Sequence, residues 1–353
     1  MSELNEILAL AKRAAAAHEE ICVATVVGIE GSAYRRPGAR MVLTAAGGRA
    51  GTVSGGCLEG EIAKKAWWLT EKGPSLQRYS SFFDDDGDAT YGLGCGGTIA
   101  VLLERGEPAQ QSLEALRKSV EDRTPFVIVT TTDTKAPGTR LILREDGAIV
   151  YMRGEDDYLL QVAREALARR TTGPLHGHVI GAFVEYIAPP PALWVFGAGD
   201  DAQPLVEFAA TLGWHVIVAD GRSHLARAER FPQAARMMEL EAALAEVSRG
   251  DAAVIMTHSY EQDRKALGAL LGLGMKYLGV LGPRARTERL VAEVAPRVGL
   301  SAAQCISRLH APVGLDLGGH SPAAIALSII AELQAVLAGR EPRKLTSTGL
   351  IHA

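Results

Sequence analysis

The sequence predicts an α/β protein in two parts, a mixed α+β first half followed by a doubly wound parallel sheet. Three observations predict it. The chain has 353 residues, about two domains at roughly 100–200 residues each. Ala188-Pro189-Pro190-Pro191-Ala192 places three prolines in a row; without backbone N–H groups they cannot lie inside a helix or central strand. Beyond that seam, short apolar runs alternate regularly with helical ones, and before it they do not. The expected division is a first domain over 1–188, a linker over 189–192 and a second domain over 193–353.

In the second half, Leu193–Phe196, Trp214–Ala219, Ala253–Thr257 and Tyr277–Leu281 are near-continuous apolar strands. Helices over Asp201–Leu212 and Glu261–Leu271 separate them, the first carrying Leu205, Phe208, Ala209 and Leu212 on one face. Strands apolar on both faces belong to a parallel sheet covered by helices. The last helix starts cleanly, with Ser321 as N-cap and Pro322 at its first position.

The first half opens with a helix, Leu4, Ile7, Leu8 and Ala11 sharing a face. Strands are expected at Cys22–Gly28 and Arg40–Thr44, then an Ala46-Gly47-Gly48 turn and a return over Arg49–Ser54. Glu59–Leu69, Ser112–Val120 and Tyr158–Arg169 have helical patterns. Gly97–Leu103, Phe126–Thr131, Arg140–Leu143 and Val179–Ile187 have strand patterns. No internal repeat is expected.

Composition narrows the function. With 47% hydrophobic and 22% charged residues the chain is an ordinary globular one, and its net charge of −4 argues against a nucleic-acid surface built on bulk charge. Cys22, Cys57, Cys95 and Cys305 contain no C-x-x-C pair, which fits a reducing compartment and weakens a disulfide or structural-zinc reading. The acidic N-terminus and the lack of a long apolar run point to a cytoplasmic protein without a membrane span.

Gly197-Ala-Gly199-Asp-Asp-Ala202 fits G-x-G-x-x-G/A, follows a strand, opens a helix and has Asp220 at the end of the next strand. This is a Rossmann-like fingerprint: glycines admit a pyrophosphate, helix amides hold it, and a carboxylate roughly 20 residues on accepts from a ribose hydroxyl. Asp200 and Asp201 oppose a phosphate there, or simply stabilise the helix N-terminus. Thr257-His258 also ends a strand, where a histidine can move protons or merely join a loop.

Two first-half segments are richer than turns require. Gly31-Ser32-Ala-Tyr34-Arg35-Arg36-Pro37-Gly38-Ala-Arg40-Met41 is followed by Ser54-Gly55-Gly56-Cys57-Leu-Glu59, and later by Gly94-Cys95-Gly96-Gly97. Consecutive glycines before a helix form a nest for an anion, and Arg35, Arg36 and Arg40 offer forked donors. Cys57 and Cys95, each beside glycine, are either thiolates accessible to a soft metal or small buried apolar residues.

In that order, these segments together with Val195-Phe-Gly-Ala-Gly199, Thr257-His258 and Gly314-Leu-Asp-Leu-Gly318 resemble the XdhC/CoxI family of xanthine dehydrogenase accessory proteins. The resemblance covers most of the chain. It implies a protein that binds molybdenum cofactor (molybdopterin), holds it during sulfuration by a cysteine desulfurase and helps insert it into a xanthine dehydrogenase-like apoenzyme. It also implies a homodimer. The residues expected at the cofactor are Ser32, Arg35, Arg40, Gly55, Gly56, Cys57, Glu59, Cys95, Gly96 and Gly97, with Cys57 and Cys95 near molybdenum. Gly197, Gly199, Asp220 and His258 are expected at NAD(P) or another nucleotide. This sequence has Asp200 where relatives often carry histidine. Two readings compete: an NAD(P)-dependent oxidoreductase with His258 as acid/base, and a scaffold whose second domain holds no ligand.

Overall fold

A computed structural model of the chain describes residues 2–56, 58–80, 97–133, 137–154, 157–176 and 181–344. It divides into two compact units, Glu3–Pro190 and Pro191–Ala353. No helix among the described residues is long and apolar enough to cross a membrane.

The Glu3–Pro190 unit is built on two antiparallel sheets. The first contains β1 (Ile21–Gly31), β2 (Arg40–Thr44), β3 (Arg49–Gly51), β4 (Ser75–Ser80) and β5 (Gly97–Arg105), in the order β3-β2-β1-β5-β4. The second contains β6 (Phe126–Thr131), β7 (Arg140–Arg144), β8 (Ile149–Arg153), β9 (Gly173–His176) and β10 (Gly181–Ile187), in the order β8-β7-β6-β10-β9. Helix α1 (Glu3–Ala16) precedes the first sheet, and α3 (Glu107–Glu121) joins it to the second. Helix α2 (Glu59–Leu69) lies between β3 and β4, and α4 (Asp157–Arg169) between β8 and β9.

The two halves of this unit therefore repeat one topology, contrary to the expectation of no internal repeat. Residue registers match as well. Thr25 of β1 pairs with Arg40, the first residue of β2, just as Thr130 of β6 pairs with Arg140, the first residue of β7. Glu104 of β5 stands opposite Val23, and Glu185 of β10 opposite the matching Ile128.

Side-chain alternation explains the layering, because successive residues of a strand face opposite sides. Ile21, Val23 and Val42 from the first sheet share a core with Phe126, Ile128 and Ile142 from the second, closed by Ile7 and Leu10 of α1 and Leu113 and Leu116 of α3. On the other face of the first sheet, Cys22, Ala24 and Val26 pack with Leu58, Ile62 and Ala66. The second sheet matches this with Val127, Val129 and Leu141 against Leu159, Ala163 and Ala166 of α4. Each central strand is thus buried on both sides, which is why β1 and β6 read as continuous apolar runs.

Two buried ion pairs cross between the sheets in reciprocal fashion. Arg40 donates to both carboxylate oxygens of Glu185, and Arg140 donates to Glu104 at 2.6 Å. Burial opposes the charge on Arg40, but the Glu185 carboxylate more than offsets this and raises its pKa. The backbone before each arginine is the same as well. Gly38 and Gly138 have φ of +96° and +85°, and a Cβ at either would stand 3.0 Å from the carboxylate, Glu185 Oε1 or Glu104 Oε1.

The Pro191–Ala353 unit is a parallel sheet of β11 (Ala192–Phe196), β12 (His215–Ala219), β13 (Arg236–Met238), β14 (Ala252–Ile255) and β15 (Tyr277–Val280), in the order β13-β12-β11-β14-β15. One face packs Trp194, Phe196, Ile217 and Ile255 against α6 (Leu240–Glu246), α7 (Tyr260–Leu270) and α8 (Arg284–Val298). The other packs Leu193, Val195, Val216 and Val254 against α5 (Ala202–Thr211) and α10 (Pro322–Leu337). A short helix, α9 (Ala302–Ile306), carries the buried Cys305. The chain reverses direction across the sheet between β11 and β14, a topological switch point. Ser321 caps α10 by accepting from the Ala324 amide at 3.2 Å, with Pro322 at the first turn.

Candidate functional site

Antiparallel pairing gathers the first-half motifs at one end of the first sheet. β1 ends there and β2 begins there, so residues 32–39 cross that end. β3 ends there and leads through residues 52–58 into α2. β4 ends and β5 begins there too, bounding residues 81–96. Cys57, Cys95 and Gly96 lie outside the described residues. Gly97 fits this end because a Cβ on it would come within 2.1 Å of the Ser32 carbonyl oxygen.

The glycine nest is real, but it already holds an anion. The Glu59 carboxylate accepts from the amides of Val53, Ser54, Gly55 and Gly56 at 2.8–3.2 Å and from Ser54 Oγ at 2.7 Å. Ser54 Oγ in turn accepts from the Leu58 amide. Burial pushes the Glu59 carboxyl up, but these donors, Ser54 first, outweigh it and hold it below the usual carboxylate range. Glu59 is 1% exposed, so this residue, expected as a ligand contact, instead locks its own loop. The amides of Gly55 and Gly56 point inward at it.

The arginines divide in the same way. Arg40 is spent on Glu185 within the sheet interface. Arg35 pairs with Glu3 of α1, whose other oxygen accepts from the Thr52 amide at 3.0 Å, and its buried Nε has no partner. Ser32, Tyr34 and Arg36 are exposed, whereas Ala33 between them is buried. Cys22 packs in the core, and burial pushes its thiol up to about 11, so it is inert at neutral pH. Among the described residues no group of three or more His, Cys, Asp or Glu side chains is placed to hold a metal ion.

In the Pro191–Ala353 unit the second set lies at the carboxyl ends of the parallel strands. Gly197 has φ +131°, and a Cβ would meet the Met256 carbonyl oxygen at 2.4 Å, so this glycine permits a close approach between neighbouring strand ends. Asp220 is fully buried and its carboxylate accepts from the Ala198 amide at 2.9 Å, from the Arg222 amide and from the Arg222 guanidinium. Burial raises this carboxyl, but Arg222 and the amides lower it further than burial raises it. The residue expected to receive a ribose hydroxyl is therefore closed over by Arg222, which also donates to the Thr257 carbonyl at 2.7 Å.

Both loop aspartates have side-chain partners. Asp200 accepts from Arg230 at 2.6 Å, and Arg230 also donates to the Ala198 carbonyl. Asp201 meets His258 Nε2 at 2.7 Å and makes no capping bond to α5, so it bridges two strand ends instead of capping the helix. His258 sits at φ +57°, the left-handed region, with an exposed ring. The sequence reading missed two partners here. Asp263 accepts from Thr257 and pairs with Arg286 at 2.5 Å, and Arg222 closes Asp220 from only two positions away.

Comparison with known proteins agrees with this architecture. Residues 14–80 match the XdhC and CoxI family, and residues 193–333 match the XdhC Rossmann domain. The chain is 33% identical to a Bacillus subtilis protein named as a probable xanthine dehydrogenase subunit, over 89% of its own length and 92% of that protein. It is 26% identical to the molybdenum cofactor insertion chaperone PaoD of Escherichia coli, over 94% and 87% of the two chains. A crystal structure from Bacillus halodurans, described as a xanthine dehydrogenase, superposes with a TM-score of 0.78 at 27% identity, covering 99% of each chain. With these likenesses spanning both units, the chain belongs to the XdhC and CoxI family.

Proposed function

We propose that this chain is a molybdenum cofactor-binding accessory protein, which holds the cofactor for sulfuration by a cysteine desulfurase and for insertion into a xanthine dehydrogenase-like apoenzyme. The observation that carries the reading is that the strand ends flanking three connections gather at one end of the first sheet. In sequence, two of those connections bear Cys57 and Cys95. The full-length likeness to a protein named as a cofactor insertion chaperone supports the same reading.

The cofactor is an anionic pyranopterin phosphate with a dithiolene-bound molybdenum, and it supplies the metal chemistry of the recipient enzyme. The donors in the described residues fit such a ligand on the outside of the loop end, because the inner nest is taken by Glu59. Among the described residues, Arg36 and Ser32 make no side-chain hydrogen bond or ion pair, and both face solvent. Arg36 supplies a forked cation for the phosphate. Glu59 fixes the backbone of residues 53–56, so the loop presents one shape. Cys57 and Cys95 are the soft donors of the set. In the second unit Arg222 occupies the Asp220 carboxylate, the acceptor a dinucleotide ribose would use, which favours a carrier over an NAD(P)-dependent oxidoreductase.

The test is pterin and molybdenum per chain in protein purified from a host that makes the cofactor and loads another molybdoenzyme. Near-stoichiometric pterin, lost in a Cys57→Ala/Cys95→Ala variant, is the expected result. Pterin-free wild-type protein from such a host would overturn the proposal.

A further inference from the structure

Within the same loop end, one aromatic side chain has no structural task that accounts for its position. Tyr34 is 71% exposed, yet its ring rests directly on the glycine loop. A Cβ at Gly55 would come within 2.7 Å of Tyr34 Cδ1 and 2.9 Å of Cε1. Gly55 is itself held by Glu59 through its amide at 3.2 Å, so the ring leans on a fixed backbone and opens most of its surface to solvent. Arg36 and Ser32, the unengaged donors, lie two residues to either side and are exposed like Tyr34, with buried Ala33 beside them.

We infer that Tyr34 is a stacking platform for a planar heterocycle whose anionic group pairs with Arg36. An exposed phenol ring backed by glycine is costly to leave in water and well suited to stacking, because the missing side chain at position 55 lets one side of the ring come close to the loop and leaves the rest open. The guanidinium of Arg36 adds an anion contact at the rim. This deepens the carrier reading and rests on it: the heterocycle is the pterin, read on the outer surface by Tyr34 and Arg36 instead of within the Gly55–Gly56 amides.

The experiment compares wild type with Tyr34→Phe, Tyr34→Ala and Arg36→Ala, all purified from the cofactor-producing host. It quantifies oxidised pterin fluorescence per chain and, separately, the thermal unfolding midpoint. Tyr34→Phe should retain pterin close to wild type, and Tyr34→Ala about five- to tenfold less, since a stacked base is worth that much or more. Arg36→Ala should fall in between, and none should shift the midpoint appreciably, because both side chains are exposed. Pterin-loaded wild type with equally loaded Tyr34→Ala would overturn this inference alone. Pterin-free wild type would overturn the carrier reading and this inference together.

Discussion

The two halves of the first unit share one strand order, one register and one reciprocal ion pair, yet they differ where their strands connect. In the first half, residues 52–58 lead from β3 into α2 and residues 81–96 join β4 to β5; these segments hold Cys57 and Cys95. At the matching places in the second half the connections are residues 154–156 and 177–180, without a cysteine. The repeated scaffold is therefore plain in one copy and elaborated in the other. Conservation of the sheet with divergence of its loops is how a fold separates stability from chemistry.

The largest expected effect comes from unbalancing the two ion pairs. Arg140 donates to Glu104, Ser112, Thr130 and the Pro108 carbonyl, whereas Arg40 serves Glu185 and the Gly38 carbonyl. Removing one partner of a buried pair costs about 3–5 kcal/mol, so Arg140→Ala should lie at the top of that range and Arg40→Ala below it. Urea unfolding of the two variants measures the difference. Equal costs would show that the halves are mechanically equivalent despite their unequal networks.

Next comes the first residue of each matched helix. Glu59→Gln removes the charge from a carboxylate with five donors and should cost about 2–3 kcal/mol, with faster amide exchange at residues 53–56. Asp157→Asn, at the start of α4, should cost about 0.5 kcal/mol, a helix-dipole contribution. Similar losses at both positions would erase the proposed specialisation of the first loop.

Acid should expose the same asymmetry. A carboxyl whose folded pKa is depressed contributes its full stability above the ordinary carboxylate range and loses it as pH falls through the lowered folded value. Wild type should therefore lose its advantage over Glu59→Gln on titration below the ordinary range, about pH 4. A stability gap independent of pH would mean that shape, not charge, holds the loop. The matched glycines should give an effect between those at Glu59 and Asp157. Gly38→Ala and Gly138→Ala should each cost about 1–2 kcal/mol, the latter more, because its Cβ would also meet Pro74 at 2.8 Å. Thermal midpoints resolve the order.

The parallel sheet was legible because strands covered on both faces need unbroken apolar runs; Leu193–Phe196 and Tyr277–Leu281 show such runs. The edge strands β4 and β8 escaped notice for the converse reason. β4, Ser-Leu-Gln-Arg-Tyr-Ser, is largely polar, and β8 has Ile149, Val150 and Met152 exposed, so neither shows clean alternation. The duplication left a signal in Pro37-Gly38-Ala-Arg40 and Pro137-Gly138-Thr-Arg140, too short to stand out until the sheets aligned it. At the candidate site, residue types were legible and their partners were not. An Arg, Glu or Asp near a glycine loop reads alike whether it meets a ligand or another side chain, and the choice for Arg40 rests on Glu185, distant in sequence.

The reciprocal ion pairs have a consequence for how far this chain can be trimmed. A cut between β5 and β6 would leave Arg40 and Glu104 on one fragment and Arg140 and Glu185 on the other, every charge parted from its counterpart. Each fragment would also carry a bare apolar sheet face. The smallest autonomous piece of the first unit is accordingly the whole duplication, and its plain copy serves as the counter-template on which the elaborated copy folds.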